Sequence, residues 1–136
     1  MDGSANEPWQ LGIAVVENGV IRETREWFFG TSMTPDFETM QDQWESFAPY
    51  FQDTNLVAHN IATERTILTR TAPLTKWGPW FDTLKLARAR YKALPSYKLG
   101  DLCEMFSLCP KDESRTWHDA LYDAVACANL AIFLGL

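Results

Sequence analysis

Two β-rich runs that meet at Asn18-Gly19 constrain this chain more than any other feature. Trp9-Gln10-Leu11-Gly12-Ile13-Ala14-Val15-Val16 reads as a largely buried strand, and Val20 to Phe29 as its partner. A two-residue hairpin turn needs positive φ at both central positions, and Asn and Gly both tolerate it. Arg22, Glu23, Arg25 and Glu26 give the second run one solvated face or an exposed edge. An antiparallel hairpin is therefore the expectation for the first part of the chain.

The rest alternates helix and strand. Glu38 to Phe51 carries Met40, Trp44, Phe47 and Phe51 at helical spacing, with Pro49 disturbing the last turn. Leu56-Val57-Ala58 is a short apolar strand, and Ile61 to Thr71 a helix. A brief strand ends at Asp82-Thr83, a helix runs from Leu84 to Tyr91, and Pro95 breaks it. Helices follow over 98–106 and 120–134. Ala120, Ala124 and Ala128 recur at i, i+4 and i+8, a stripe small enough to lie closely on a sheet. Hairpin, helix, strand, helix, strand, helices is the order of a mixed α/β sheet covered by helices.

At 136 residues the chain is long enough for one domain, 1–136, with a real core. No apolar run reaches membrane-spanning length, so no membrane partner is expected. The net charge of −6 provides no global basic footprint. A nucleic-acid partner would need local contacts, or a metal bridging phosphate to acidic side chains. Arg65, Arg70, Lys76, Lys85, Arg88 and Arg90 concentrate in the middle third and suit either such a contact or a plain solvated face. Cys103, Cys109 and Cys127 are odd in number and match no zinc spacing, which fits reduced thiols in a cytoplasmic protein.

Three places can carry chemistry. From Ala120 to the C-terminus Asp123 is the only charged side chain at neutral pH, and His118, one of two histidines, stands five residues before it. Residues at i and i+5 do not share a helical face, so His118 must reach Asp123 from the preceding loop. His can act as a general base near neutral pH, and Asp can hold a hard cation. The competing reading is an interfacial His and a solvent-facing Asp. His59-Asn60 lies where a strand gives way to a helix, with Glu64 four residues on. Sites form at such places in α/β sheets. Equally, Asn60 would serve as an N-cap and Glu64 as a dipole-compatible surface acid. Asp82 ends a strand and reads as the cap of the following helix.

Together these segments resemble the DEDDh 3′–5′ exonucleases, the family of the proofreading epsilon subunit, oligoribonuclease and ribonuclease T. Residues 7–21 resemble the family's second strand and hairpin. Leu56-Val57-Ala58-His59-Asn60 with Glu64 resembles the second motif, and Trp80-Phe81-Asp82-Thr83-Leu84 the segment before the third. His118 with Asp123 and Ala124 resembles the third motif. Two departures stand out. Glu64 occupies a position where the family usually has Asp. The first motif, Asp-x-Glu on the first strand, is absent, and Met1-Asp2-Gly3 reads as its continuation, as though the chain began one strand late.

The resemblance implies a ribonuclease H-like mixed sheet flanked by helices and lacking the first strand. It implies a 3′–5′ exonuclease acting on single-stranded 3′ ends, DNA or RNA, with Mg²⁺ or Mn²⁺ in a two-ion site. Asp123 and Glu64 would be metal ligands and His118 the general base, with His59 and Asn60 on the nucleic acid. With two carboxylates remaining, metal binding should be weak or absent and the chain inactive as it stands. The alternatives are a pseudonuclease that binds single strands without cutting, and a protein scaffold. An exposed sheet edge would also favour a homodimer.

Overall fold

The computed structural model describes residues 2–3, 8–112 and 114–136, with side chains from Trp9 onward. The hairpin lies where the sequence places it. Strand β2 (Pro8–Glu17) and strand β3 (Val20–Phe28) pair antiparallel, and Asn18 and Gly19 take φ of 54° and 75° at the turn. A two-residue strand β1 (Asp2–Gly3) pairs with β2, Asp2 opposite Gln10. The position expected to lack a strand therefore holds a short one. The three form one ladder in the order β1-β2-β3.

Strand β4 (Leu56–Ala58) and strand β5 (Trp80–Asp82) make a second, parallel ladder, Ala58 opposite Asp82. Both strands run directly into helices. Helix α2 (Ala62–Thr71) follows β4, and helix α3 (Thr83–Arg90) follows β5. Helices α4 (Leu99–Met105) and α5 (Ala120–Phe133) complete the chain.

The long helix expected over Glu38 to Phe51 is a correction. Helix α1 spans only Trp44–Phe47, and a 3₁₀ turn, Ala48–Tyr50, takes over at Pro49. Upstream, Thr39 and Asp42 tie up each other's backbone: Thr39 N–H donates to the Asp42 carboxylate at 3.0 Å and Asp42 N–H to Thr39 Oγ1 at 3.2 Å. This reciprocal pair is a capping box, and Gln43 N–H donates to the Thr39 carbonyl at 3.2 Å, yet the turns over 40–43 do not extend into regular helix before Trp44. The burial pattern survives, because Met40, Phe47 and Phe51 still reach the core.

The core has two parts. On one face of the hairpin, Leu11, Trp27 and Phe29 pack with Phe47, Phe51, Leu56, Ile67 and Leu68. Trp27, Phe47 and Tyr50 meet edge to face at 5.8 Å, a favourable aromatic geometry. The second part joins α3, α4 and α5 through Ala87, Leu102, Leu130 and Leu134. Helix α5 crosses the other face of β2, and Gly12 is the crossing point. A Cβ there would collide with the peptide linking Ala120 to Leu121. The small-residue stripe of α5 and the missing side chain at position 12 together set this distance.

Candidate active site

The ends of β4 and β5 are held together by one side chain. Asp82 caps α3 by accepting from Leu84 N–H at 2.9 Å, and it also accepts from Asn60 N–H at 2.9 Å and Ile61 N–H at 3.3 Å. Burial pushes its carboxyl up, but backbone donors at Asn60, Ile61, Leu84 and Lys85 outweigh that and hold it below the ordinary value of 3.8. Asn60 sits at φ 65°, a left-handed conformation that Asn accepts more readily than most residues. Asp82 is thus the cap the sequence suggested and a clamp on the neighbouring turn as well.

His59 is wired inward. Its Nε2 lies 2.7 Å from the Tyr97 carbonyl and its Nδ1 2.8 Å from Thr83 Oγ1. A carbonyl only accepts, so Nε2 carries the proton and, in the neutral ring, Thr83 donates to Nδ1. Burial is the main influence on the ring and lowers its pKa from 6.5 against the opposing pull of the Tyr97 bond. Thr83 is fully buried and lies 3.8 Å from Cys127 Sγ. Burial first, and the nearby Glu64 and Asp82 charges after it, push the Cys127 thiol up to about 12.

Glu64 lies in the first turn of α2, and one of its carboxylate oxygens is withdrawn from solvent. Its charge acts on Cys127, which is four residues past Asp123 and on the same side of α5. Asp123 in turn acts on the Cys103 thiol, whose rise to about 12 is due first to burial.

The loop before α5 presents His118. Asp119 caps the helix, accepting from Tyr122 N–H at 2.9 Å. His118 takes φ 75°, its side chain is exposed, and its N–H donates to Asp123 Oδ1 at 3.3 Å. Histidine and aspartate thus meet across the helix start, the histidine in the loop as the spacing required.

Several residues that hold this loop were not anticipated. Arg115 grips Glu26 with two bonds, of 2.7 and 2.8 Å, and Asp119 with bonds of 3.0 and 3.2 Å. Gln10, 1% exposed, donates to Asp119 at 3.2 Å and accepts from Ala120 N–H at 3.1 Å. Glu26 falls below the ordinary carboxylate range, chiefly through its bond to Arg115. Trp117 stacks edge to face on Tyr122 with ring centres 4.8 Å apart. The one visible signal was Gln10, an amide inside an apolar strand run. Glu26 and Arg115 look like surface charges until the fold joins them.

Among the described residues, no group of three or more His, Cys, Asp or Glu is placed to hold a metal ion. Among the described residues Glu64 and Asp123 alone do not fit a two-cation centre, since hard cations take six or more oxygen ligands. Among the same residues no helix is long and apolar enough to cross a membrane.

The RNase_T exonuclease family model matches residues 30–131, which include Glu64, His118 and Asp123. The chain belongs to this exonuclease family. Its fold is that of the solved structure of Exonuclease X in complex with 5′ overhanging duplex DNA, with a TM-score of 0.76 at 20% identity. The similarity covers 97% of this chain and 84% of that one. Comparison with curated proteins gives no match.

Proposed function

We propose that residues 1–136 form one exonuclease domain that takes single-stranded 3′ ends, with His118 as general base and Asp123 and Glu64 as its ligands toward Mg²⁺ or Mn²⁺. The observation that carries this is the start of α5. An exposed imidazole is held in a left-handed loop whose N–H is bonded to Asp123. An exposed imidazole suits proton removal from water near neutral pH. Asn60, beside the two strand ends, is the nucleic-acid contact. His59 positions it, because both its ring nitrogens bond within the protein.

Two carboxylates leave the cation site short of ligands, so the 136-residue chain binds single strands and turns them over slowly or not at all. The donor set of the described residues favours this reading over an efficient nuclease. Three free cysteines suit a reducing, cytoplasmic setting. A second copy of the chain, joined through a sheet edge, belongs to the same proposal.

The test uses a 3′-labelled single strand in Mg²⁺ or Mn²⁺. This chain should shift the strand's mobility without shortening it. A version carrying an Asp-x-Glu strand ahead of Asp2 should release nucleotides. Robust cleavage by the 136-residue chain, abolished by Asp123→Asn, would overturn the claim that the missing acids are essential. Neither shift nor cleavage would make the domain a scaffold.

A further inference from the structure

Four side chains from three parts of the chain close into one ring of hydrogen bonds at the start of helix α5. Gln10 on β2 donates from Nε2 to Glu26 on β3 at 3.4 Å and to Asp119 at 3.2 Å. Arg115 spans the same two carboxylates, with bonds of 2.7 and 2.8 Å to Glu26 and of 3.0 and 3.2 Å to Asp119. Each carboxylate is thus shared by one amide and one guanidinium. Gln10 Oε1 accepts from Ala120 N–H at 3.1 Å, which leaves both amide protons for the acids. A carboxylate in its place would face Glu26 and Asp119 charge to charge. Arg115 is the only lysine or arginine after Lys111, and Asp112 adds a looser contact to it at 3.7 Å.

The stretch that Arg115 and Asp119 bracket contains His118. On one side of the histidine Asp119 is fixed, as cap of α5 and member of the ring. On the other side Trp117 is fixed, its ring edge to face on Tyr122 at 4.8 Å and beside Gly100 of α4. Asp119 N–H donates back to the Thr116 carbonyl at 3.2 Å. The His118 backbone is therefore held from both ends at φ 75°, a conformation that a Cβ disfavours. The imidazole itself is exposed. A planar guanidinium suits the bridge because its fork can bond two carboxylates at once, whereas an ammonium is a point charge. The charged members keep 26–27% of their side chains exposed, so small ions can reach the ring from solution.

We propose that Arg115 is the positioning residue of His118: by bridging Glu26 and Asp119 it anchors the loop over 115–119 to strand β3 and holds the imidazole at the start of α5. This rests on the reading of His118 as general base, and Arg115 acts on the reaction only through that histidine. Losing the bridge frees the loop. A misplaced base then costs rate at the chemical step and leaves strand binding alone.

The first readout needs neither metal nor cleavage: backbone nitrogen-15 relaxation of the 136-residue chain, with circular dichroism to verify folding. In the parent the order parameter at His118 should be that of rigid backbone, about 0.85. In Arg115→Ala it should fall below about 0.6 across 116–118 while β2, β3 and the body of α5 keep theirs. Glu26→Gln, isosteric and on another element, should loosen the same residues. Arg115→Lys should leave them loose, because one ammonium does not make the paired bonds to both acids. Millimolar guanidinium chloride should restore order to Arg115→Ala, and sodium chloride of equal ionic strength should not. In the version extended by an Asp-x-Glu strand, Arg115→Ala should lower kcat for release from a 3′ end about tenfold to a hundredfold with KM unchanged. A rigid His118 in both Arg115→Ala and Glu26→Gln, equal restoration by the two salts, or a raised KM at unchanged kcat would each overturn the proposal. Should His118→Ala leave cleavage intact, the general-base reading fails, and the relaxation result still decides whether Arg115 holds the loop.

Discussion

The turn after β4 and the loop before α5 use the same local device for opposite ends. Each has a non-glycine residue in the left-handed region, Asn60 at 65° and His118 at 75°. In each, an aspartate from a helix start accepts that residue's N–H: Asp82 at 2.9 Å, Asp123 at 3.3 Å. The histidines part company. His59 is half-buried with both ring nitrogens bonded to protein, whereas His118 is exposed. A carboxylate-held left-handed turn fixes the backbone in both places. What lies around the ring decides whether the histidine is a strut or is left open to solvent.

The sharpest way to break this contrast is to remove each ring. In the version extended by an Asp-x-Glu strand, His118→Ala should lower the cleavage rate by roughly 10²–10⁴, the usual worth of a general base, with little change in unfolding midpoint. His59→Ala should do the reverse, lowering the midpoint. If His118→Ala instead unfolds the protein while His59→Ala slows cleavage alone, the assignment of the two roles is inverted.

Next in size is the seat of the second loop. Gly12→Ala should destabilise by about 1–3 kcal/mol in urea unfolding, because the added methyl meets the α5 backbone and not a movable side chain. A neutral result would mean that α5 does not cross β2 at Gly12.

Asp82→Ala should cost about 1–2 kcal/mol, near the upper range for a lost cap, since it frees donors from two turns. The pH dependence has a definite sign. The folded carboxyl sits below 3.8, so its stabilising share is complete above 3.8 and is lost as pH falls through the lower folded value. In Asp82→Asn that acid-sensitive share should disappear.

The smallest effect belongs to His59. Its folded pKa lies below 6.5, so the unfolded chain takes up the proton first as pH falls. Stability should be full above 6.5, decline below it, and level off once the folded ring also protonates. Urea midpoints on either side of 6.5 would show this slope in the parent and not in His59→Gln. An identical slope in both would place the titration elsewhere.

Much of the architecture was legible because it is local. Asn18-Gly19 must turn, Asp82 must cap, and the apolar run after Asp119, charged only at Asp123, must bury a helix. The helix over Glu38 to Phe51 does not form because periodic apolar residues mark burial and do not require helix. At Pro49 the backbone passes into a 3₁₀ turn while Met40, Phe47 and Phe51 keep their places in the core. The H-x4-D spacing of His118 and Asp123 was visible in the sequence, and the hydrogen bond between them follows from it at short range.

The sequence by itself determined the hairpin, the order of strands and helices, and the residue types able to do acid–base or cation chemistry. Each of these depends on neighbours within a few positions, where propensity and spacing act directly. The tertiary structure alone decided that His59 is spent on Tyr97 and Thr83, that Arg115 ties Glu26 to Asp119, and that α5 rests on Gly12. Most of those contacts join residues dozens of positions apart, and no local rule ranks one such partner above another. Only packing the helices onto both faces of the hairpin, with each buried polar group requiring a partner, selects them.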